Sequence, residues 1–190
     1  MGLKRIKDYN EFLDEILISE DRIIQRTKEL GAEISKDYAD KDLHLICILR
    51  GGVMFLTDLM RNITVPHTID FMAISSYGVG GRQSSGAVRI KLDLNDDIYE
   101  KDIILVEDII DSGHTINKIL EMLKTRKPKS LEVCSMLDKA ARREVDVPIK
   151  YRGFDIEDKF VFGYGLDLDE YHRNLPFVGV VNLEKYTPPD

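Results

Sequence analysis

The sequence predicts an α/β domain built on a largely parallel central sheet, and three observations lead there. Short, mostly apolar runs recur at Leu43–Leu49, apolar except for His44, at 103–106, which is unbroken, and at 131–137, as strands of a buried sheet require. The first two runs are each followed by a glycine-containing turn and a stretch of helical periodicity. The chain's 190 residues are enough for one well-filled core and too few for two. Strands alternating with helices in this way place a ligand site at the carboxyl ends of the strands.

In chain order, Ile16-Leu17-Ile18 is a short apolar run, and Ser19 with Glu20 and Asp21 supplies a cap and first-turn acids for a helix to about Tyr38. Ile23, Ile24, Thr27, Leu30 and Ile34 are its expected buried stripe. Leu43–Leu49 is a buried strand, Arg50-Gly51-Gly52 a turn, and a helix follows from 53 to about 63. A strand over 69–75 leads into residues 76–86, where four Gly and three Ser in eleven positions exclude a packed element. Residues 88–94 return as its antiparallel partner. The apolar strand 103–106 is expected to end where Glu107 and Asp108 bring polarity back. Ile116, Ile119, Leu120 and Leu123 then mark a helix, and 131–137 a further strand. By composition alone Phe160 and Phe162 read as core aromatics.

The chemistry concentrates at residues 107–115. Two adjacent carboxylates closing a buried strand are costly to desolvate unless hydroxyls, cations or a metal compensate them. The loop Asp111-Ser112-Gly113-His114-Thr115 brings amides, hydroxyls and a flexible glycine to the positive end of a helix dipole, a place that attracts phosphate. On spacing alone the same residues fit an ordinary turn capped by Ser112 or Thr115 with solvated acids.

The formal charge of −7 argues against generic nucleic-acid binding. No apolar stretch approaches the ~18 residues of a membrane span, and the N-terminus is too short in apolar run for a signal peptide, so a cytoplasmic protein is expected. Cys47 and Cys134 lie inside apolar runs as buried thiols. His44, His67, His114 and His172 show no ligand spacing, which argues against zinc.

Val106-Glu107-Asp108-Ile109-Ile110-Asp111-Ser112-Gly113-His114-Thr115 resembles the phosphoribosyl-pyrophosphate signature of the type I phosphoribosyltransferases. The resemblance implies that Glu107 and Asp108 hold the ribose diol, directly and through Mg2+. It puts Asp111 over the anomeric carbon as the catalytic base, and Ser112, Gly113, His114 and Thr115 around the 5-phosphate. Other motifs are similar to the 6-oxopurine branch of the family. Arg50-Gly51 stands where a Lys-Gly turn contacts pyrophosphate; arginine keeps the charge but changes the donor geometry. Ser76 and Tyr77 open the glycine-rich stretch where the family carries a mobile lid. Leu137-Asp138-Lys139-Ala140-Ala141-Arg142-Arg143 resembles a Leu-Asp-Lys-Pro-Ser-Arg-Arg segment, so that Lys139 would meet the purine 6-oxo group while Ala140-Ala141 would loosen the turn. The tail implies that Phe160 stacks on the purine, that the backbone at Val161 and Asp167 reads its edge, that Asp167 ligates a second magnesium, and that Arg173 binds pyrophosphate.

The resemblance runs from about residue 10 to 183. It implies one domain with a core over about 38–150, a small hood from 1–20 and 151–190, and a homodimer or homotetramer. The activity implied is purine salvage, with 5-phosphoribosyl passing from phosphoribosyl pyrophosphate to hypoxanthine or guanine to give IMP or GMP and pyrophosphate. A sister enzyme preferring xanthine would keep nearly all these motifs. A non-catalytic, nucleotide-responsive regulator on the same fold is the rival from another class; the acidic balance and the joint presence of Asp111, Lys139 and Asp167 oppose it. No Walker-type sequence supports a kinase.

Overall fold

The computed structural model describes residues 8–77 and 87–188. The chain runs β1 (Leu13–Ile18), α1 (Glu20–Asp37), β2 (Leu43–Leu49), α2 (Val53–Asn62), β3 (His67–Tyr77) and β4 (Ala87–Leu92). It continues through β5 (Asp102–Ile110), α3 (His114–Thr125), β6 (Ser130–Asp138), β7 (Tyr151–Asp155), β8 (Val161–Phe162) and β9 (Val178–Val181). Six strands form the main sheet in the order β4-β3-β2-β5-β6-β7, and three form a small one in the order β1-β9-β8. In the main sheet every pairing is parallel except β3 with β4, so the fold class read from the sequence holds.

The central strands β2 and β5 are buried almost throughout, and helices cover both faces of the sheet. On one side α1 and α2 meet Leu45, Cys47, Ile104 and Val106. On the other, α3 buries Ile116, Ile119, Leu120 and Leu123 against Ile46, Ile103 and Leu105. A third apolar cluster, with Phe12, Phe162, Leu168 and Phe177, fills the small sheet.

Three expectations change. Ile24 is 42% exposed and Gly31 takes its place in the buried stripe of α1; there a close helix contact, not hydrophobicity, decides the face. β5 does not stop at Val106. Its ladder with β6 runs on through Glu107↔Ser135 and Ile110↔Asp138, because backbone pairing continues whatever side chains it carries. And β7, which the sequence reading left with the C-terminal appendage, pairs in parallel with β6 and completes the main sheet. The glycine-rich lid stretch falls outside the described residues from 78 to 86, and of its first two positions only the backbone, at the end of β3, is described.

A Cβ on Gly31 would stand 2.6 Å from both the Cβ and the carbonyl oxygen of Asn62, so α1 and α2 approach backbone to side chain at this point. Gly31→Ala should therefore destabilise the fold by about 1–3 kcal/mol through overpacking. Calorimetry should show a lowered unfolding midpoint; an unchanged one would mean the helices can part at no cost.

Candidate active site

The candidate residues gather at the carboxyl ends of the parallel strands. Residues 107–113 with Thr115 and Ile116 line an open cavity of about 190 Å³. Glu107 is 9% exposed and its Oε2 has no hydrogen-bond partner; burial, and then the charge on Asp108, push its carboxyl well above the usual range. Asp108 is pushed up to about 6, first by burial and also by Asp167, while the Ile109 amide and Arg173 oppose the rise. An unpartnered buried carboxylate beside a second strained one is what a divalent cation or a sugar diol would relieve, so the donor set fits a hard metal with oxygen ligands.

Three chain segments close on Asp108. A Cβ on Gly51 would lie 1.5 Å from Asp108 Oδ2, and one on Gly165, whose φ is +95°, 2.1 Å from the Gly51 carbonyl oxygen. Only glycines at both turns let the acid and the two loops share this space. Arg173 donates from Nη1 to the Gly165 carbonyl at 2.8 Å and pairs through Nη2 with Asp167 at 2.8 Å. Asp167 also accepts the Glu170 amide at 2.9 Å. Arg50 reaches Glu170 at 2.8 Å with both side chains well exposed, a pair of small worth that a ligand can displace.

The loop after β5 leads into α3 through Gly113, whose φ is +90°. The first-turn amides of α3 have no intrahelical partner, and Ser112 and Thr115 stand beside them in the cavity wall. His114 faces outward to Glu144 at 2.8 Å, so of this residue only the backbone borders the loop. Asp111 is partly exposed, with Arg142 Nε 3.3 Å from its Oδ1.

Lys139 is 6% exposed, its amide donates to the Ile110 carbonyl at 2.9 Å, and its Nζ lies 3.8 Å from Asp158. Arg142 bridges the same Asp158, at 3.5 Å, to Asp111. The Ala140–Arg142 turn is a closed 3-10 turn, so Ala140-Ala141 keeps the turn that proline and serine would otherwise bias. Phe160 is 52% exposed while Phe162 is fully buried, which splits the two aromatics that composition put together in the core. The Phe160 carbonyl is held by the Val181 amide at 2.8 Å, and Val161 is buried in β8.

Sequence reasoning gave no role to Gly165, Asp158 and Glu170, which neighbour the expected residues, or to Asp138 and Arg143. Asp138 and Arg143 lie inside the 137–143 motif without a role read for them, and the other three had no signal beyond nearness to recognised residues. At the far end of the sheet, Asp70 lies with His44 and Asp96 within 4.8 Å. Asp70 already accepts from the Phe71, Asn95 and Asp96 amides and the Asn95 side chain; with its lone pairs so engaged it is a loop staple, and we assign no metal to it.

Residues 14–170 match the family described as phosphoribosyl transferase domain, and the chain belongs to that family. Among its relatives, the hypoxanthine phosphoribosyltransferase of Salmonella typhimurium is 49% identical over 171 residues, covering 89% of this chain and 96% of that one. The hypoxanthine-guanine phosphoribosyltransferase of Staphylococcus aureus is 46% identical over 175 residues, covering 92% and 97%. A crystal structure of a hypoxanthine phosphoribosyltransferase from Staphylococcus aureus superposes with a TM-score of 0.90 at 45% identity, over 95% of this chain and 97% of that one.

The raised acid gives a signed prediction. Asp108's carboxyl titrates higher folded than unfolded, so in metal-free protein the folded state binds the extra proton between about pH 4 and 6, and stability falls as pH rises through that window. Asp108→Asn should then raise the unfolding midpoint of metal-free protein at pH 7, with the gain shrinking towards pH 4. Melts followed by circular dichroism would show it, and a pH-independent difference would refute burial as the cause.

Proposed function

We propose that this chain transfers the 5-phosphoribosyl group of phosphoribosyl pyrophosphate to hypoxanthine or guanine, forming IMP or GMP and pyrophosphate, as a cytoplasmic enzyme of purine salvage. The names of its relatives support the activity. The observation that carries it is the cavity at the carboxyl ends of the strands, lined by the two acids of β5 and the loop into α3, with the buried Lys139 linked to Asp111 of that loop through Asp158 and Arg142. Among the described residues no helix is long and apolar enough to cross a membrane. Assembly as a homodimer or homotetramer belongs to the same proposal and rests on the resemblance.

In this reading a purine ring nitrogen forms a bond to the anomeric carbon while the bond from that carbon to the diphosphate oxygen breaks. Positive charge builds on the ribose and negative charge on the leaving group, and fixed counter-charges stabilise both. Asp111 faces the ribose cation and takes the proton that the purine loses. Glu107 and Asp108 hold the ribose hydroxyls, and Arg50, Gly51 and Arg173 take the pyrophosphate. Ser112, Gly113, His114 and Thr115 receive the 5-phosphate through backbone amides and hydroxyls. A divalent cation, Mg2+ in this proposal, would be held by Glu107, Asp108 and Asp167 and supplies charge neutralisation at the diphosphate. Phe160 stacks on the purine, Lys139 donates to its 6-oxo group, and the backbone of Val161 and Asp167 reads its edge. Ser76 and Tyr77 would open a lid over the reacting groups; the bulk of that lid lies outside the described residues.

The direct test is a spectrophotometric assay with phosphoribosyl pyrophosphate, Mg2+ and each of hypoxanthine, guanine, xanthine and adenine; turnover of neither hypoxanthine nor guanine would overturn the proposal. Asp111→Asn keeps the shape and removes the base, and is expected to lower kcat by ~10²–10⁴ with substrate affinity kept. Near-normal turnover of this variant from pH 6 to 9 would end the role assigned to Asp111.

Lys139 offers donors only, so it matches a 6-oxo group and leaves donors facing donors with a 6-amino group. A site built around one buried hydrogen bond rejects an analogue lacking it by ~10⁴ or more. Lys139→Ala should narrow the ratio of kcat/KM for hypoxanthine to that for adenine. If the ratio holds, Lys139 does not read the base.

A further inference from the structure

Four contacts tie the segment after β6 to the loop after β5. Arg143 donates from Nη1 to the Asp111 carbonyl at 2.8 Å. The Glu144 and Val145 amides both donate to the Ser112 carbonyl, at 2.9 and 3.0 Å. A Cβ on Gly113 would stand 2.4 Å from the Val145 carbonyl oxygen and 3.2 Å from Arg143 Cδ, so the two backbones lie against each other with no side chain between them. Arg143 is itself anchored: its Nη2 pairs with Asp138, a carboxylate only 2% exposed, whose other oxygen meets Arg152 Nε at 3.0 Å.

These contacts settle which way the loop's peptide planes face. In a trans peptide the carbonyl and the following N–H point in opposite directions. Drawing the Asp111 and Ser112 carbonyls towards residues 143–145 therefore turns the Ser112 and Gly113 amides the other way, towards the cavity that residues 107–113 line. A loop free to rotate those planes would present carbonyl oxygens to an incoming anion instead. A guanidinium can span Asp138 and the Asp111 carbonyl at once because its donors diverge in a rigid fork; an ammonium on a flexible stem cannot hold the same two partners in fixed geometry.

We propose that Arg143, locked by the buried Asp138, is a positioning residue that presets the Ser112 and Gly113 amides to receive the 5-phosphate. This rests on the functional reading above, and it adds residues from outside the loop to the phosphate subsite. Asp138 acts through Arg143: buried between the Arg143 and Arg152 guanidinium groups, it fixes the position of Arg143.

The test compares wild type with Arg143→Lys, Arg143→Ala and Asp138→Asn, using Tyr151→Phe as a stability control that loses a hydrogen bond to Asp37 at the end of α1 and none to the loop. The expected result is a split. KM for phosphoribosyl pyrophosphate should rise roughly tenfold or more in Arg143→Lys, as the loss of one charge-assisted hydrogen bond implies, while KM for hypoxanthine stays within about twofold of wild type. Asp138→Asn should follow the same direction, and Tyr151→Phe should lower the unfolding midpoint without moving either KM. If both KM values rise together, or neither moves in Arg143→Lys, the brace is refuted; Arg143→Lys keeps the test open should Arg143→Ala not fold. Binding of ribose 5-phosphate by calorimetry separates this idea from the assigned activity. A wild type that fails to turn over purines but loses ribose 5-phosphate affinity on Arg143→Lys sinks the activity and supports the brace, whereas equal affinity in both proteins sinks the brace alone.

Discussion

Asp108 occupies the space that a side chain on Gly51 would need, with its Oδ2 1.5 Å from where that Cβ would be, and Gly165 presses on Gly51 from the other side. The turn after β2, the end of β5 and the loop between β8 and β9 are thereby held to one separation. Within that last loop Arg173 holds both the Gly165 carbonyl and Asp167, and the pair of acids at the end of β5 lines a cavity.

The arrangement costs stability where it is made. β5 carries its two acids into the sheet ladder, leaving one Glu107 oxygen without a partner and both carboxyls raised by burial. Isolated buried acids are expensive, and they persist here because the surrounding strands, packed with aliphatic side chains on both faces, hold the ladder together independently of them. The free protein gains from a ligand that brings positive charge or hydroxyl donors to these oxygens, and under the proposed function the cation and the ribose diol would supply both.

The electrostatics divide the site in two. Around Asp108 and Asp167 the carboxylates meet Arg173, and Arg50 stands nearby on an exposed pair with Glu170. Around Asp111 the partners are Arg142 and, through Asp158, Lys139. Under the proposed function the first group would take the diphosphate and its counter-ion, the second the purine and the proton it gives up. The segment 138–145 belongs to the second group, with Lys139 meeting Asp158 and Arg143, Glu144 and Val145 tied to the Asp111 and Ser112 carbonyls.

How much was legible beforehand follows from the range of each interaction. Strand and helix identities in the main sheet are set by local periodicity, and the runs at Leu43–Leu49 and 103–106 and the stripe Ile116, Ile119, Leu120 and Leu123 all appear where that periodicity put them. The loop 111–115 was visible because its chemistry is contiguous in sequence. Tertiary structure alone decided that β5 continues through its acids and that Gly31 rather than Ile24 faces α2, and it separated the exposed Phe160 from the core Phe162 where composition could not. It alone joined Gly51 to Asp108 and Gly165, and Arg143 to Asp111. Those outcomes depend on which backbones come within a few ångströms of each other across the fold, a long-range packing result that no periodicity or local motif encodes.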